Sequence, residues 1–202
     1  MNKIVKLFLT AFSILGLVLI IFYFFSSANV VGTSMKPTYN NGDLLVIAKC
    51  GNYKVKDIVA VKSSTSSDYL CKRIIGVGGD DIIIEDSKVI LNGKSLDESY
   101  VFEDTWSCQA IDDSFTGATV YDDYDFHIKV DDGYIFVLGD NRNHSADSRS
   151  FGCLPVDNVI GKSIFNITKS MGVNKRSLRS ILIVIWALYI IYYIKSKKST
   201  KV

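Results

Sequence analysis

Two residues in this chain could form a proton-transfer pair for nucleophilic chemistry. Ser34 lies in the run GTSMKPT at 32–38, and Lys72 lies in CKRIIG at 71–76. A serine hydroxyl is a poor nucleophile until a base removes its proton. Lysine is such a base only when neutral, and with a pKa of ~10.4 only about one lysine in two thousand is neutral at pH 7. Burial can lower a lysine pKa by up to ~3–5 units, and a fall of ~2–3 would populate the base usefully. The run at 69–75, YLCKRII, is β-type and dense in apolar groups. Strand alternation puts Leu70, Lys72 and Ile74 on one face, an apolar setting for the amine. Arg73 next door would push the lysine pKa in the same direction. Taken alone, Lys72 reads as a surface strand lysine and Ser34 as a loop serine.

A third segment, GDNRNHSADSR at 139–149, changes the balance. Asp147 and Arg149 can form a charge-assisted pair that stiffens a turn. A rigid turn could keep Ser145 aimed at Lys72. Asp140 fits similar structural work. His144 offers the rival base, in a triad of Ser34, His144 and Asp140 or Asp147. His127, in an acidic stretch, reads as a surface residue.

Here the chain resembles the bacterial type I signal peptidases. The family shows S-M-x-P-T at its nucleophile, as at 34–38, followed by a Gly-Asp, as at Gly42 and Asp43. It shows K-R-x-x-G-x-x-G-D, as at 72–80, and G-D-N-R-x-x-S-x-D-S-R, as at 139–149. The likeness covers residues 7 to about 165. It implies an antiparallel β-sheet peptidase domain outside the membrane, Ser34 as nucleophile and Lys72 as general base of an acyl-enzyme mechanism. Ser145 would orient the lysine, Asp147 and Arg149 would form a structural ion pair with Arg73 as a further partner, and Met35 and Cys71 would line the substrate pockets or sit in the core. Substrates would be signal-peptide-bearing preproteins with small residues before the cut. Two departures stand out. Gly32 replaces a serine that in some relatives assists the oxyanion, and Gly78 replaces a common proline, which would loosen its turn.

The elements that must position these groups are legible in outline. Residues 7–25 are apolar and uncharged, long enough at about 1.5 Å per residue to cross a hydrocarbon core of about 30 Å. Lys3 and Lys6 place residues 1–6 in the cytoplasm and the following domain outside. The alternative is a cleavable leader ending at Ser26-Ser27-Ala28. A second apolar run at 178–195 is expected as another transmembrane helix, ahead of a basic tail at 196–202. Between them, 30–170 is expected to be β-rich, with strands near 44–48, 58–61, 69–75, 81–84, 89–91, 134–138 and 159–165. Asn92-Gly93 and Asp132-Gly133 read as turns. Residues 103–132 read as a solvated polar insertion.

Composition narrows the partners. Lys and Arg number 23 and Asp and Glu 21, a net charge of +2, so no nucleic-acid partner is expected, whereas membrane lipid is. The four cysteines form no C-x-x-C pair and read mostly as free buried thiols, and the aspartates at 122–132 do not match a calcium loop. No metal or cofactor is expected. Two other readings share the pattern: a pilin- or client-specific peptidase of the same family, and an inactive membrane-bound assembly factor.

Overall fold

The computed structural model of the protein describes residues 3–49, 51–63, 69–103, 108, 111 and 114–171. The apolar run expected as a second transmembrane helix and the basic tail lie outside the described residues. Helix α1 (Lys3–Phe24) passes directly into β1 (Phe25–Asn29). The chain continues through β2 (Leu44–Ala48), β3 (Ile58–Lys62), β4 (Tyr69–Val77), β5 (Asp81–Glu85), β6 (Lys88–Leu91), β7 (Lys94–Ser95), β8 (Ala118–Val120), β9 (His127–Val130) and β10 (Tyr134–Leu138). The described part closes with helix α2 (Ser148–Phe151), β11 (Leu154–Pro155), β12 (Val159–Asn166) and helix α3 (Ile167–Met171). The fold is mainly β, as expected.

Every strand pairing is antiparallel. One sheet has the order β1-β2-β12-β3-β4-β10-β11 and the other β7-β6-β5-β9-β8. The chain passes between them at the β4–β5 and β9–β10 turns. Gly78 sits where these turns meet: a Cβ there would lie 3.0 Å from Asp132 Cα. The adjacent Gly79 N–H donates to the Val130 carbonyl at 2.8 Å, and Asp80 Oδ2 accepts from the Val77 N–H at 2.9 Å. The turn is therefore pinned rather than loosened by the missing proline. The expected Asn92-Gly93 hairpin is present, with φ of 51° and 74°, the left-handed pair that a tight two-residue turn between twisted strands requires.

β4 carries apolar side chains on both faces. Ile74 joins Val59, Val61, Ile135, Val137 and Leu154 on one side, with Leu70 packed against them. Ile75 joins Ile82, Phe126, Ile128, Phe136 and Leu138 in the core between the sheets. Each such side chain contributes roughly 1.5–3 kcal/mol by leaving water. Lys72 thus lies in a strand with core on either side.

Two sequence expectations need correction. Residues 103–132 are not wholly a solvated insertion, because β8 and β9 complete the smaller sheet and Phe126, Ile128 and Val130 are buried. Those three apolar positions recur at every second residue, and the surrounding aspartates mask them in any composition average. His127, expected on the surface, is buried between Asp81 and Asp123 and stacks on Tyr121 with ring centroids 4.5 Å apart. Burial disfavours its charge, but the two carboxylates outweigh this and hold the imidazole above its usual pKa.

At the N-terminus, α1 has 22 residues, and its described apolar side chains face solvent, with Phe8 71% and Phe12 76% exposed. Among the described residues no helix is long and apolar enough to cross a membrane. Ser26-Ser27-Ala28, the triplet a leader-cleaving cut would use, is paired residue by residue with Ile47, Val46 and Leu45 inside the larger sheet.

Candidate active site

The loop bearing Ser34 begins where β1 ends. Val30 fastens its base by exchanging backbone hydrogen bonds with Asp43 and Gly42, at 2.9 and 2.8 Å. Gly32, with φ of 88°, donates to Asn41 Oδ1 at 3.1 Å. The tip is a tight turn in which Lys36 N–H donates to the Thr33 carbonyl and Tyr39 N–H to the Met35 carbonyl. Met35 is 1% exposed and plugs the loop into the domain. Ser34 is half-buried at this turn.

Asn141 joins that loop to the third sequence segment. Its backbone N–H donates to the Ser34 carbonyl at 2.9 Å, and its side-chain amide donates to the Thr33 carbonyl at 3.2 Å. Gly139 is the point of closest approach. A Cβ at Gly139 would lie 2.2 Å from Ser145 Oγ and 2.6 Å from the Ser34 carbonyl oxygen. The Ser34 backbone and the Ser145 hydroxyl therefore converge on one patch of backbone that only glycine leaves open.

Lys72 reaches the same place from β4. It is 3% exposed, and its Nζ donates to Ser145 Oγ at 2.8 Å. Among the described residues Lys72 forms no ion pair, because the neighbouring carboxylates are already engaged. Burial pushes the Lys72 ammonium below its ordinary pKa. The Asp147 carboxylate works against this, and the Arg149 guanidinium works with it.

The two carboxylates are held by guanidiniums. Arg149 Nε and Nη2 grip the two oxygens of Asp147 at 2.8 and 3.0 Å, while Asp147 Oδ2 also accepts from the Gly139 N–H at 3.0 Å. Arg73 Nε and Nη2 grip the two oxygens of Asp140 at 2.8 and 2.6 Å, and Thr38 of the Ser34 loop donates its hydroxyl hydrogen to the same carboxylate. Arg73 thus pairs with Asp140 instead of extending the Asp147–Arg149 pair. The Arg149 guanidinium adds to the fall in the Lys72 pKa. Adjacent strand residues face opposite ways, so Arg73 points away from Lys72 with its charge neutralised by Asp140.

His144 is exposed, and the hydroxyl beside Lys72 belongs to Ser145. Cys71 is a free thiol beside Val30, Leu45, Ile47 and Ala60, and burial pushes its pKa up to about 12 despite the Lys72 ammonium. Cys153 is likewise a free buried thiol. Residues that sequence reasoning gave no role include Thr38, Asn141, Arg142 and Ser148. Arg142 is 1% exposed and donates to the Gly139 carbonyl at 3.0 Å, and the Ser148 hydroxyl accepts from the Val137 N–H at 3.0 Å. For Asn141, Arg142 and Ser148 the signal was the polar run at 139–149, in which each of these three side chains ties a backbone group, whereas Thr38 binds the Asp140 carboxylate.

Comparison with known proteins shows the family of the chain. The profile of the family described as "Signal peptidase, peptidase S26" matches residues 1–168. The chain belongs to this family. Signal peptidase I of Bacillus caldolyticus is 35% identical over 147 residues, covering 71% of this chain and 79% of that protein. Signal peptidase I T of Bacillus subtilis (strain 168) is 35% identical over 159 residues, covering 76% and 79%. The thylakoidal processing peptidase 1 of Arabidopsis thaliana is 32% identical over 152 residues, covering 68% of this chain and 40% of the plant protein. As a peptidase S26 member, the chain is a serine endopeptidase, a hydrolase.

The buried amine has a stability consequence in this peptidase. A lysine whose folded pKa is depressed destabilises the fold below that pKa. The penalty is relieved as pH rises from the folded value to the ordinary value of 10.5. Lys72→Met should therefore raise Tm at pH 7, with the gain vanishing above pH 10.5. Thermal unfolding across pH checks this, and a Tm lowered at pH 7 would show that the ammonium stabilises the site.

Proposed function

We propose that the chain removes signal peptides from exported preproteins with Ser34 as nucleophile and Lys72 as general base. The observation that carries the reading is the buried Lys72 amine, hydrogen-bonded to Ser145 and packed where the Ser34 backbone meets Gly139. The neutral Lys72 Nζ takes the Ser34 hydroxyl proton as Oγ attacks the scissile carbonyl carbon. The Ser34 backbone N–H supports the resulting oxyanion. Collapse breaks the peptide C–N bond, the Lys72 ammonium gives its proton to the leaving amine, and an ester on Ser34 remains. A water then gives its proton to Lys72, attacks the ester carbonyl and restores the Ser34 hydroxyl as the cleaved signal peptide leaves with a new carboxylate. Ser145 keeps the amine aimed throughout.

The Asp147–Arg149 and Asp140–Arg73 pairs support this role by occupying the carboxylates that would otherwise hold Lys72 protonated. Substrate is an extended segment, for which strand addition beside the larger sheet is suited. We place α1 in the membrane as the anchor and the β domain on the extracytoplasmic face. The exposure of apolar side chains along α1, the lysines at 3 and 6, and the absence of any loop between α1 and β1 support that arrangement.

Preprotein cleavage by wild type, Ser34→Ala and Lys72→Ala tests the chemistry. Both variants should lose about 10³-fold or more in kcat. The wild-type rate should rise with pH through the lowered Lys72 pKa and level off below 10.5. Equal processing by all three removes the assignment. For the anchor, alkaline carbonate extraction should leave the full chain in the membrane pellet, and its release to the supernatant would contradict an embedded α1.

A further inference from the structure

Residues 97–103 leave the smaller sheet after β7 and cross to the larger one. None of them belongs to the three chemistry-bearing segments. Leu96 and Val101 root the crossing in the core between the sheets. Three contacts then reach the frame around Lys72. The Tyr100 ring lies against the Arg73 guanidinium, with Arg73 Cζ 3.9 Å from the ring centroid. Glu98 pairs with Arg142, the buried residue that donates to the Gly139 carbonyl. The Phe102 N–H donates to the Asp140 carbonyl at 3.1 Å. The crossing thus touches the Asp140 backbone through Phe102, reaches the Gly139 carbonyl by way of Arg142, and contacts Arg73 through Tyr100.

Tyr100 holds the most consequential position. The edge of Arg73 is committed to Asp140 and to the Lys56 carbonyl, at 3.0 Å for the latter, which leaves its flat face for the ring. A guanidinium fixed at its edge by a carboxylate and over its face by an aromatic ring cannot rotate without breaking one contact. Asp140 in turn holds Thr38, four residues along the loop from Ser34. Burial pushes the Tyr100 phenol pKa up, so the ring stays neutral over the working pH range.

We propose that Tyr100 is a positioning residue for the cleavage reaction: its stacking on Arg73 holds the Asp140–Thr38 contact, and with it the Ser34 loop, against Gly139. This rests on the reading of Ser34 and Lys72 as the reacting pair. Loss of the stack loosens the frame, admits water beside Lys72 and returns its pKa toward the ordinary value. The acid limb of the rate profile then moves to higher pH. Simple loss of folded protein lowers the rate without moving that limb.

The test is preprotein cleavage kinetics across pH with the full chain in detergent micelles, for wild type, Tyr100→Leu, Tyr100→Phe and Ser34→Ala. Tyr100→Leu should lower kcat about tenfold with KM unchanged and shift the acid limb upward. Tyr100→Phe keeps the aromatic face and should restore both rate and limb. Should Tyr100→Leu not accumulate as folded protein, Tyr100→Met keeps apolar volume without the ring and carries the same expectation. An inactive Ser34→Ala beside a wild-type rate and limb in Tyr100→Leu overturns the positioning role alone. A lowered rate with an unshifted limb, or a loss that Phe does not restore, overturns it as well. If Ser34→Ala cleaves like wild type, the reading of the reacting pair falls and the role of Tyr100 falls with it.

Discussion

The desolvation of one ammonium group sets the terms for everything around it. Lys72 sits on a strand with apolar core on either face, 3% exposed, with a serine hydroxyl as its hydrogen-bond partner. Such an amine gives up its proton readily only if no free carboxylate lies beside it. Two carboxylates do lie near, and each is bound edge-on by its own arginine. On the proposed reading the guanidiniums serve the acid–base chemistry: paired with Arg73 and Arg149, Asp140 and Asp147 bind backbone and hydroxyl groups and form no ion pair with Lys72 among the described residues. Burying a charge in this way costs stability, and it is the sort of local cost that functional sites carry while the rest of the fold offsets it.

Glycine at position 139 is the second constraint. The Ser34 carbonyl and the Ser145 hydroxyl come together over its missing side chain, and its own N–H and C=O are bound by Asp147 and Arg142. Three other stretches of sequence therefore reach the segment following β10: the loop after β1, strand β4, and the crossing from the smaller sheet.

Much of the arrangement was legible in the sequence because it is local. Short apolar runs between turn residues marked β2 at 44–48 and β10 at 134–138 with their observed bounds. Asn92-Gly93 marked its hairpin, and alternation in β4 placed Leu70 and Ile74 together. The misses have physical causes. β1 was hidden because Ser26-Ser27-Ala28 is short and polar and owes its extended form to pairing with β2. β9 was hidden by the aspartates that flank its alternating Phe126, Ile128 and Val130. The partner of Arg73 depends on which face of β4 it occupies, and the grip of Tyr100 and Glu98 spans two sheets. Neither leaves a mark in neighbouring residues.

The most direct measurement is the titration of Lys72 itself. Lysine side chains labelled with ¹³C at Cε can be followed by NMR against pH in the Ser34→Ala protein, with Lys72→Met used to assign the resonance. A midpoint well below the ordinary lysine value of 10.5, set apart from the other lysines, is the expected result. A Lys72 signal that titrates with the surface lysines would contradict the claim that burial makes this amine the base.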